Sequence, residues 1–354
     1  MDELTPCALD VSERAAFERI AQALEGASTI AISGHTDPDG DALGSNLALA
    51  AIIALRWPDK QVTSLLANDA DVPRTYAQLP GADGLVRASS YTAAPDLFIS
   101  VDTPTPERLM RSREVLERAA STVAIDHHPT MQPFADVNLL RATAASVGDV
   151  IFDFMRFLSV TPTKNIATCL LTAILTDTGR YQYQNTDAHA LRASAMLVEA
   201  GASPAQIASW VYQSDTIACM HLKALVMERL ALDETGRVAY SWVTRADLER
   251  LGARPEDCEG LIDVVRSVGD IDACAFLRER LDGGVRGNLR SKGELDVAAV
   301  AGRFGGGGHR AAAGLTYEGS MEDALRDVVA ALADALAAGD AADTAPQTPE
   351  MPEA

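Results

Sequence analysis

Residues 122–130, TVAIDHHPT, carry a short β-branched run directly into Asp126, His127 and His128. A strand of this kind ends at the carboxyl edge of a parallel sheet, where open α/β folds bind their ligands. Two adjacent imidazoles and a carboxylate at such an edge pack poorly, and they ligate metal or phosphate well. The pattern recurs along the chain. TIAISG runs into His35, Asp39 and Asp41 of HTDPDGD, LFISV runs into Asp102, and LLTAILT runs into Asp177 of TDTG. The last lead-in belongs to a stretch with helical character, Lys164–Leu175, so three strand ends and one helix end are expected to deliver these groups.

Taken singly, each residue has a plainer reading. An Asp after a strand caps a helix or shapes a turn, and a lone His is ordinary core. The combination resists that account. HTDPDGD holds three potential ligands in seven residues, with Pro38 and Gly40 forcing an irregular backbone that can wrap a cation. A regular helix or strand would point these side chains apart.

Ligand chemistry then limits the metal. The set comprises two imidazoles (His35, His127), four carboxylates (Asp39, Asp41, Asp102, Asp177) and no thiolate. Mixed nitrogen and oxygen ligation suits Mn²⁺, Fe²⁺, Co²⁺ or Zn²⁺ better than a structural zinc site built on cysteine. Six ligands are too many for one ion that must also hold water and substrate. They suit two ions sharing a bridging carboxylate. Such ions, about 3.5–4 Å apart, serve phosphoryl displacement, which points to phosphoester hydrolysis.

A second cluster lies downstream in GNLRSKGELDVAAVAGRFGGGGHRAAAG. A glycine run is often a flexible linker. Here helical apolar spacing (Val297, Val300, Ala301, Phe304) leads into Gly305–Gly308, and a strand-like LTY follows. A glycine run inside a folded domain lets backbone N–H groups approach an anion. Arg290, His309 and Arg310 can add charge-assisted bonds to a phosphate.

Together these motifs resemble the DHH phosphoesterase superfamily, which includes RecJ-type exonucleases and class II inorganic pyrophosphatases. Within it the chain is similar to the bacterial nanoRNase/pAp phosphatase group, from about Ser28 to about Leu336. HTDPDGDALGS, Asp102, DHH and TDTG resemble the four motifs of the catalytic domain. NLRSK and GGGGH resemble the hallmarks of the DHH-associated domain. The resemblance implies an α/β fold, with a parallel-sheet DHH domain plus a smaller α/β substrate-binding domain. It implies two divalent ions, most characteristically Mn²⁺. One is held by His35, Asp39 and Asp102, the other by Asp41, Asp102, His127 and Asp177. Asp126 orients His127, and His128 faces the scissile phosphate. Arg290, Ser291, Gly306, Gly307, Gly308 and His309 form the substrate-binding set. Asp37 stands where the family often has Asn, and Asn288 where a small hydroxyl is more usual.

The implied substrates are short RNA or DNA oligonucleotides, pApA-type linear dinucleotides and pAp. Alternatives are a cyclic di-AMP phosphodiesterase, a class II-type pyrophosphatase, a RecJ-type exonuclease and an inactive nucleotide-binding regulator. GGGGH argues against the pyrophosphatase, and a complete ligand set against the regulator. A net charge of −20 argues against a long polyanion held along a basic track.

At 354 residues the chain is expected to hold two domains. The catalytic domain spans 1–200, a helical linker 201–227, the substrate domain 228–338, and an acidic disordered tail 339–354. The first helix is expected from about Ser12 to Leu24, followed by the strand Thr29–Gly34. RLALDE and RVAYSWV are expected to open the second domain as strands. His189 and His221 lie on helical segments and read as surface or packing residues. The five scattered cysteines lack metal spacing and read as free thiols of a reducing compartment. The acidic N-terminus lacks the apolar core of a secretory signal, and no run reaches membrane-span length, so a cytoplasmic protein is expected. The resemblance also implies a homodimer.

Overall fold

The computed structural model describes residues 9–343. Cys7, the start of the N-terminus and the tail beyond 343 lie outside the described residues. The described residues divide between Ser214 and Asp215 into two compact units.

In the first unit a six-stranded parallel sheet has the order β3-β2-β1-β4-β5-β6. The strands are β1 (Thr29–Ser33), β2 (Gln61–Leu66), β3 (Val86–Arg87), β4 (Leu97–Val101), β5 (Ser121–Asp126) and β6 (Val137–Leu140). Every residue of β4 is buried, as in a parallel sheet covered on both faces. The helices are α1 (Val11–Gly26), α2 (Gly40–Arg56), α3 (Ser112–Arg118), α4 (Val147–Phe157), α5 (Lys164–Asp177), α6 (Ala188–Glu199) and α7 (Pro204–Tyr212). A capping box between Asp10 and Glu13 starts α1. Asp39 caps α2, accepting from the N–H groups of Asp41 and Ala42, both at 3.0 Å.

Helices α2, α4 and α5 pack closely on one face of the sheet. A Cβ at Gly44 would lie 2.5 Å from the Cys169 carbonyl oxygen, so only glycine allows α2 to approach α5 this tightly. That approach brings the first turn of α2, with Asp41, beside the last turn of α5, with Asp177. The order also reverses beside β1, whose neighbours β2 and β4 are reached by connections running in opposite directions. His35 and the N-terminus of α2 follow β1 at this switch point.

The second unit holds α8 (Ile217–Glu228), β7 (Ala231–Leu232), β8 (Val238–Val243), α9 (Arg245–Leu251), α10 (Leu261–Arg266), β9 (Ala273–Glu279), β10 (Val285–Ser291), α11 (Val297–Gly302), β11 (Gly307–His309), β12 (Ala312–Tyr317) and α12 (Met321–Asp343). Its sheet has the order β11-β12-β10-β9-β8-β7, parallel at β8–β9 and antiparallel elsewhere. Alternate residues of β9 feed two cores. Ala273, Ala275 and Leu277 meet α11 and α12, whereas Cys274 and Phe276 meet α8, α9 and α10.

Some local expectations shift. The segment expected as one helical connection is two helices, broken at 213–216, with α7 in the first unit and α8 in the second. Thr216 caps α8 by accepting from the N–H of Cys219. RLALDE pairs only at Ala231–Leu232, because Asp233 turns away to bind the N–H groups of Arg237 and Val238. Helix α12 runs past 339, where the tail was expected to start, through an alanine-rich stretch of high helix propensity. Among the described residues no helix is long and apolar enough to cross a membrane.

Candidate metal centre

Several elements of the first unit begin or end at a ligand-capable group. His35 follows β1, Asp39 and Asp41 open α2, Asp102 follows β4, His127 follows β5, and Asp177 closes α5. The ligand atoms of His35, Asp39 and Asp102 lie within 4.8 Å of one another, and so do those of Asp41, His127 and Asp177. Asp102 belongs to the first group and also approaches His127 of the second. Its Oδ2 is 3.4 Å from His35 Nε2 and its Oδ1 is 3.8 Å from His127 Nε2. Asp102 reaches this position with φ of 53° and Asp37 has φ of 50°, a left-handed backbone that costs a non-glycine residue about 1–3 kcal/mol.

Carbonyl groups assign the ring tautomers, because a carbonyl only accepts. His35 Nδ1 donates to Thr36 O at 2.6 Å, and His127 Nδ1 to Ala144 O at 3.1 Å. Both Nε2 atoms therefore face the carboxylates, as a metal-bound imidazole requires. His127 Nε2 has Asp177 at 3.5 Å, Asp41 at 3.7 Å and Asp102 at 3.8 Å, all beyond hydrogen-bond length. Separations of this size match the edges of a coordination shell with metal–ligand bonds of about 2.0–2.2 Å. Asp102 Oδ1 is buried and accepts no hydrogen bond among the described residues. The donor set therefore fits divalent cations.

The electrostatics agree. Burial pushes Asp41 well above the usual carboxylate range, reinforced by Asp102 and Asp177. Burial likewise raises Asp177 to about 6, partly offset by His127. Burial also opposes ionisation of Asp102, but its hydrogen bond to His35 and the surrounding imidazoles hold it well below its ordinary value. His127 is raised to about 9, since the pull of Asp177, Asp41 and Asp102 outweighs burial. Protons on the rings or cations between the groups answer the same excess of negative charge.

Asp41 is held by a helix N-terminus. Its Oδ2 accepts from Val147 N at 2.7 Å, its Oδ1 from Gly148 N at 2.9 Å, and Ser45 Oγ adds a third bond at 3.0 Å. Asn185 Nδ2 ties the Asp177 carbonyl, at 3.1 Å, to the Ala145 carbonyl, at 2.9 Å.

In the second unit, Arg290 on β10 pairs across with Ala312 on β12, which pairs with His309 on β11. Directly opposed residues share a sheet face, so Arg290 and His309 flank a small residue in one row. The next row on that face is Asn288, Gly314 and Gly307, a nearly bare floor. Arg290 Nη1 donates to Leu289 O at 3.0 Å, while its Nε is buried without a hydrogen-bond partner among the described residues. Ser291 is buried and donates to Gly293 O at 3.1 Å. Gly306 has a packing reason, since a Cβ there would lie 2.2 Å from Gly314 O. A Cβ at Gly308 would likewise crowd Ala312 O, at 2.5 Å, whereas one at Gly307 would meet nothing within 4 Å.

The model of the DHH family N-terminal domain matches residues 29–174, and that of the DHHA1 domain matches residues 235–338. A protein of Thermus thermophilus named bifunctional oligoribonuclease and PAP phosphatase NrnA is 30% identical over 318 residues, covering 90% of this chain and 92% of its own. The chain belongs to the DHH family. An exopolyphosphatase-related protein from Bacteroides fragilis superposes with a TM-score of 0.83 at 23% identity, covering 91% of this chain and 96% of its own. RecJ of Thermus thermophilus, crystallised with Mn²⁺, superposes at 0.54 with 13% identity, covering 95% of this chain and 56% of its own. These structural likenesses establish the fold.

Two expectations for the DHH motif and its partner domain change. Asp126 was expected to orient His127, but its Oδ1 accepts from His128 Nδ1 at 2.8 Å and from the backbone N–H of His127 at 2.8 Å. The two rings stand edge to face with centroids 4.9 Å apart just beyond β5, the Asp126 carboxylate reaching the second ring while Ala144 O serves the first. Arg310 turns to Glu294, at 3.1 Å, on the surface of the DHHA1 unit. Residue types alone carry no signal for the backbone partners Ala144, Val147 and Gly148. Asn185 carries only a weak one, as an amide eight positions after Asp177. His189, expected as a surface or packing residue, lies 3.3 Å from Asp149 and 3.2 Å from Asp153.

Proposed function

We propose that this chain is a metal-dependent phosphodiesterase and phosphatase that hydrolyses short 5′-phosphorylated oligonucleotides, pApA-type dinucleotides and pAp to mononucleotides. The observation that carries this reading is that Asp102, grouped with His35 and Asp39, also lies 3.8 Å from His127 of the Asp41–His127–Asp177 group. His35, Asp39 and Asp102 would hold one divalent ion, and Asp41, Asp102, His127 and Asp177 the other, with Mn²⁺ the favoured metal. When bound, such ions acidify a water and neutralise phosphoryl oxygens.

The chain's own residues do the rest. Ala144 O and Thr36 O keep the Nδ1 protons of His127 and His35, leaving Nε2 as the ligand atom. Asp126 fixes His128 through Nδ1, leaving its Nε2 edge to face the scissile phosphate and stabilise the developing charge. The Arg290–Ala312–His309 row, with the bare floor of Gly307 and Gly314, offers donors to a second anionic group and room for it. Recognition of that group, rather than a long basic track, suits a chain of net charge −20 and restricts substrates to a few nucleotides. The protein would work in the cytosol as a homodimer.

The test is a panel of pAp, pApA, pGpG, cyclic di-AMP and a long oligonucleotide, assayed with Mn²⁺. The expected order places pApA and pAp first and cyclic di-AMP, which lacks a terminal phosphate, behind them. Preference for the long strand over every dinucleotide would overturn the short-substrate reading. Cyclic di-AMP as the best substrate would move the enzyme to the cyclic dinucleotide class.

A further inference from the structure

Arg108 is a cation beside His35 that no acid among the described residues pairs with. It sits in the 3-10 turn Pro106–Leu109 that follows Asp102, and it is half-buried. Its carbonyl accepts from Thr36 N at 2.8 Å and its own N–H donates to Thr105 O at 3.1 Å, which pins the turn against the loop carrying His35 and Asp39. Arg108 Nη2 lies 3.3 Å from His35 Nδ1. That contact is not a hydrogen bond. Nδ1 already donates to Thr36 O at 2.6 Å, so the two nitrogens meet donor to donor.

The neighbouring arginines behave differently. Arg111 pairs with Glu114, and Arg113 with Glu107 and Glu117. Among the described residues Arg108 has no carboxylate within ion-pair distance, although Asp39 and Asp102 both stand beside the same imidazole. Its charge reaches the ring, since it works against protonation of His35. A planar fork of donors held next to a ligand cluster, and spent on none of its acids, is built for an anion that arrives with the substrate.

We propose that Arg108 binds an oxygen of the reacting phosphate, as a cationic side chain that the first unit itself supplies. The proposal rests on the phosphohydrolase reading above. It separates two jobs that arginine does in this chain. Arg108 serves the phosphate that reacts, and Arg290 serves a second anionic group that does not.

The experiment compares wild type, Arg108→Ala, Arg108→Gln, Arg108→Lys and Arg290→Ala on pApA and on bis(p-nitrophenyl) phosphate, which has one phosphate and no second anion. Loss of a charge-assisted bond should lower kcat/KM of Arg108→Ala about ten- to a hundredfold on both substrates alike. Arg290→Ala should affect pApA far more than the model diester. Arg108→Lys and added guanidinium ion should each restore part of the loss, which a merely structural role would not permit. Arg108→Gln keeps the stem and carries the test where the alanine variant fails to fold. Calorimetry should find Mn²⁺ binding unchanged, and binding of inorganic phosphate in the presence of Mn²⁺ weakened about tenfold. That last readout needs no turnover, so an inactive wild type would remove the phosphohydrolase reading while phosphate binding still decides the role of Arg108. Wild-type kcat/KM in Arg108→Ala, a loss confined to pApA, or a parallel loss of Mn²⁺ affinity would each overturn the inference.

Discussion

Asp126 Oδ1 and His128 Nδ1 are 2.8 Å apart, so the carboxylate that opens the DHH triplet is spent on its last ring. Asp126→Asn keeps the shape but replaces an ionised acceptor by a neutral amide. Activity on pApA should fall about ten- to a hundredfold through kcat, with KM and Mn²⁺ affinity little changed. Steady-state kinetics together with a Mn²⁺ titration check this. A fall in metal affinity that accounts for the whole loss would return Asp126 to the service of His127.

Asp102 is buried and lies beside both His35 and His127, whereas Asp37 is exposed and accepts from Asn68 at 3.4 Å. Under the proposed reading, Asp102→Ala would remove a ligand from both groups at once. Turnover should drop on the order of a thousandfold or more, since a bound cation contributes several kcal/mol to charge stabilisation. Asp37→Ala should stay within about tenfold of wild type. Full turnover by Asp102→Ala with excess Mn²⁺ would be the contrary result.

Metal uptake should release protons. His127 stands at about 9 without a cation, so below that pH it carries a proton that must leave before Nε2 can bind metal. Affinity should therefore rise with pH up to about 9, at most about tenfold per unit from this group. Calorimetric heats of Mn²⁺ binding should vary with the ionisation enthalpy of the buffer. A saturating ion should raise the melting temperature, by about 2.7 kcal/mol of stability at a hundred times Kd. Buffer-independent heats would contradict the charge state drawn for His127.

His189 governs stability rather than ligation. Its hydrogen bond to Asp153, opposed by burial and helped by Asp149 and Asp187, raises it above 6.5. Arg141, which also pairs with Glu13, faces the same Asp153. Because the folded value is raised, the stability His189 brings is full below about 6.5 and is lost as pH rises through that folded value. Asp149, raised to about 6 by burial, adds a loss between 3.8 and about 6 as it ionises. Melting temperature should thus fall from mildly acid to neutral pH. His189→Gln should be less stable than wild type at the acid end and lose the part of the slope above 6.5. An unchanged pH profile in that variant would exclude His189 as its source.

The sequence by itself determined which residues could act. His35, Asp39, Asp41, Asp102, His127 and Asp177 stand out because each breaks a locally legible pattern, an apolar strand or helix ending in groups that a core rejects. The parallel sheet and the helices of the first unit were legible for the same reason, since periodicity and end signals are local. The tertiary structure alone decided how these residues are wired. Asp41 rests on the N–H groups of Val147 and Gly148, 106 and 107 positions away, and no local pattern couples a side chain to a backbone so distant. Whether Asp126 serves His127 or His128 turned on where the Ala144 carbonyl falls once α4 packs on the sheet. Arg108 looked like its neighbours Arg111 and Arg113 in sequence, and only the packing of its turn against Thr36 left it beside His35 with no acid partner among the described residues. Residue chemistry is carried in the chain, but partnership is a property of distance, and folding sets distances between parts of the chain that share no local signal.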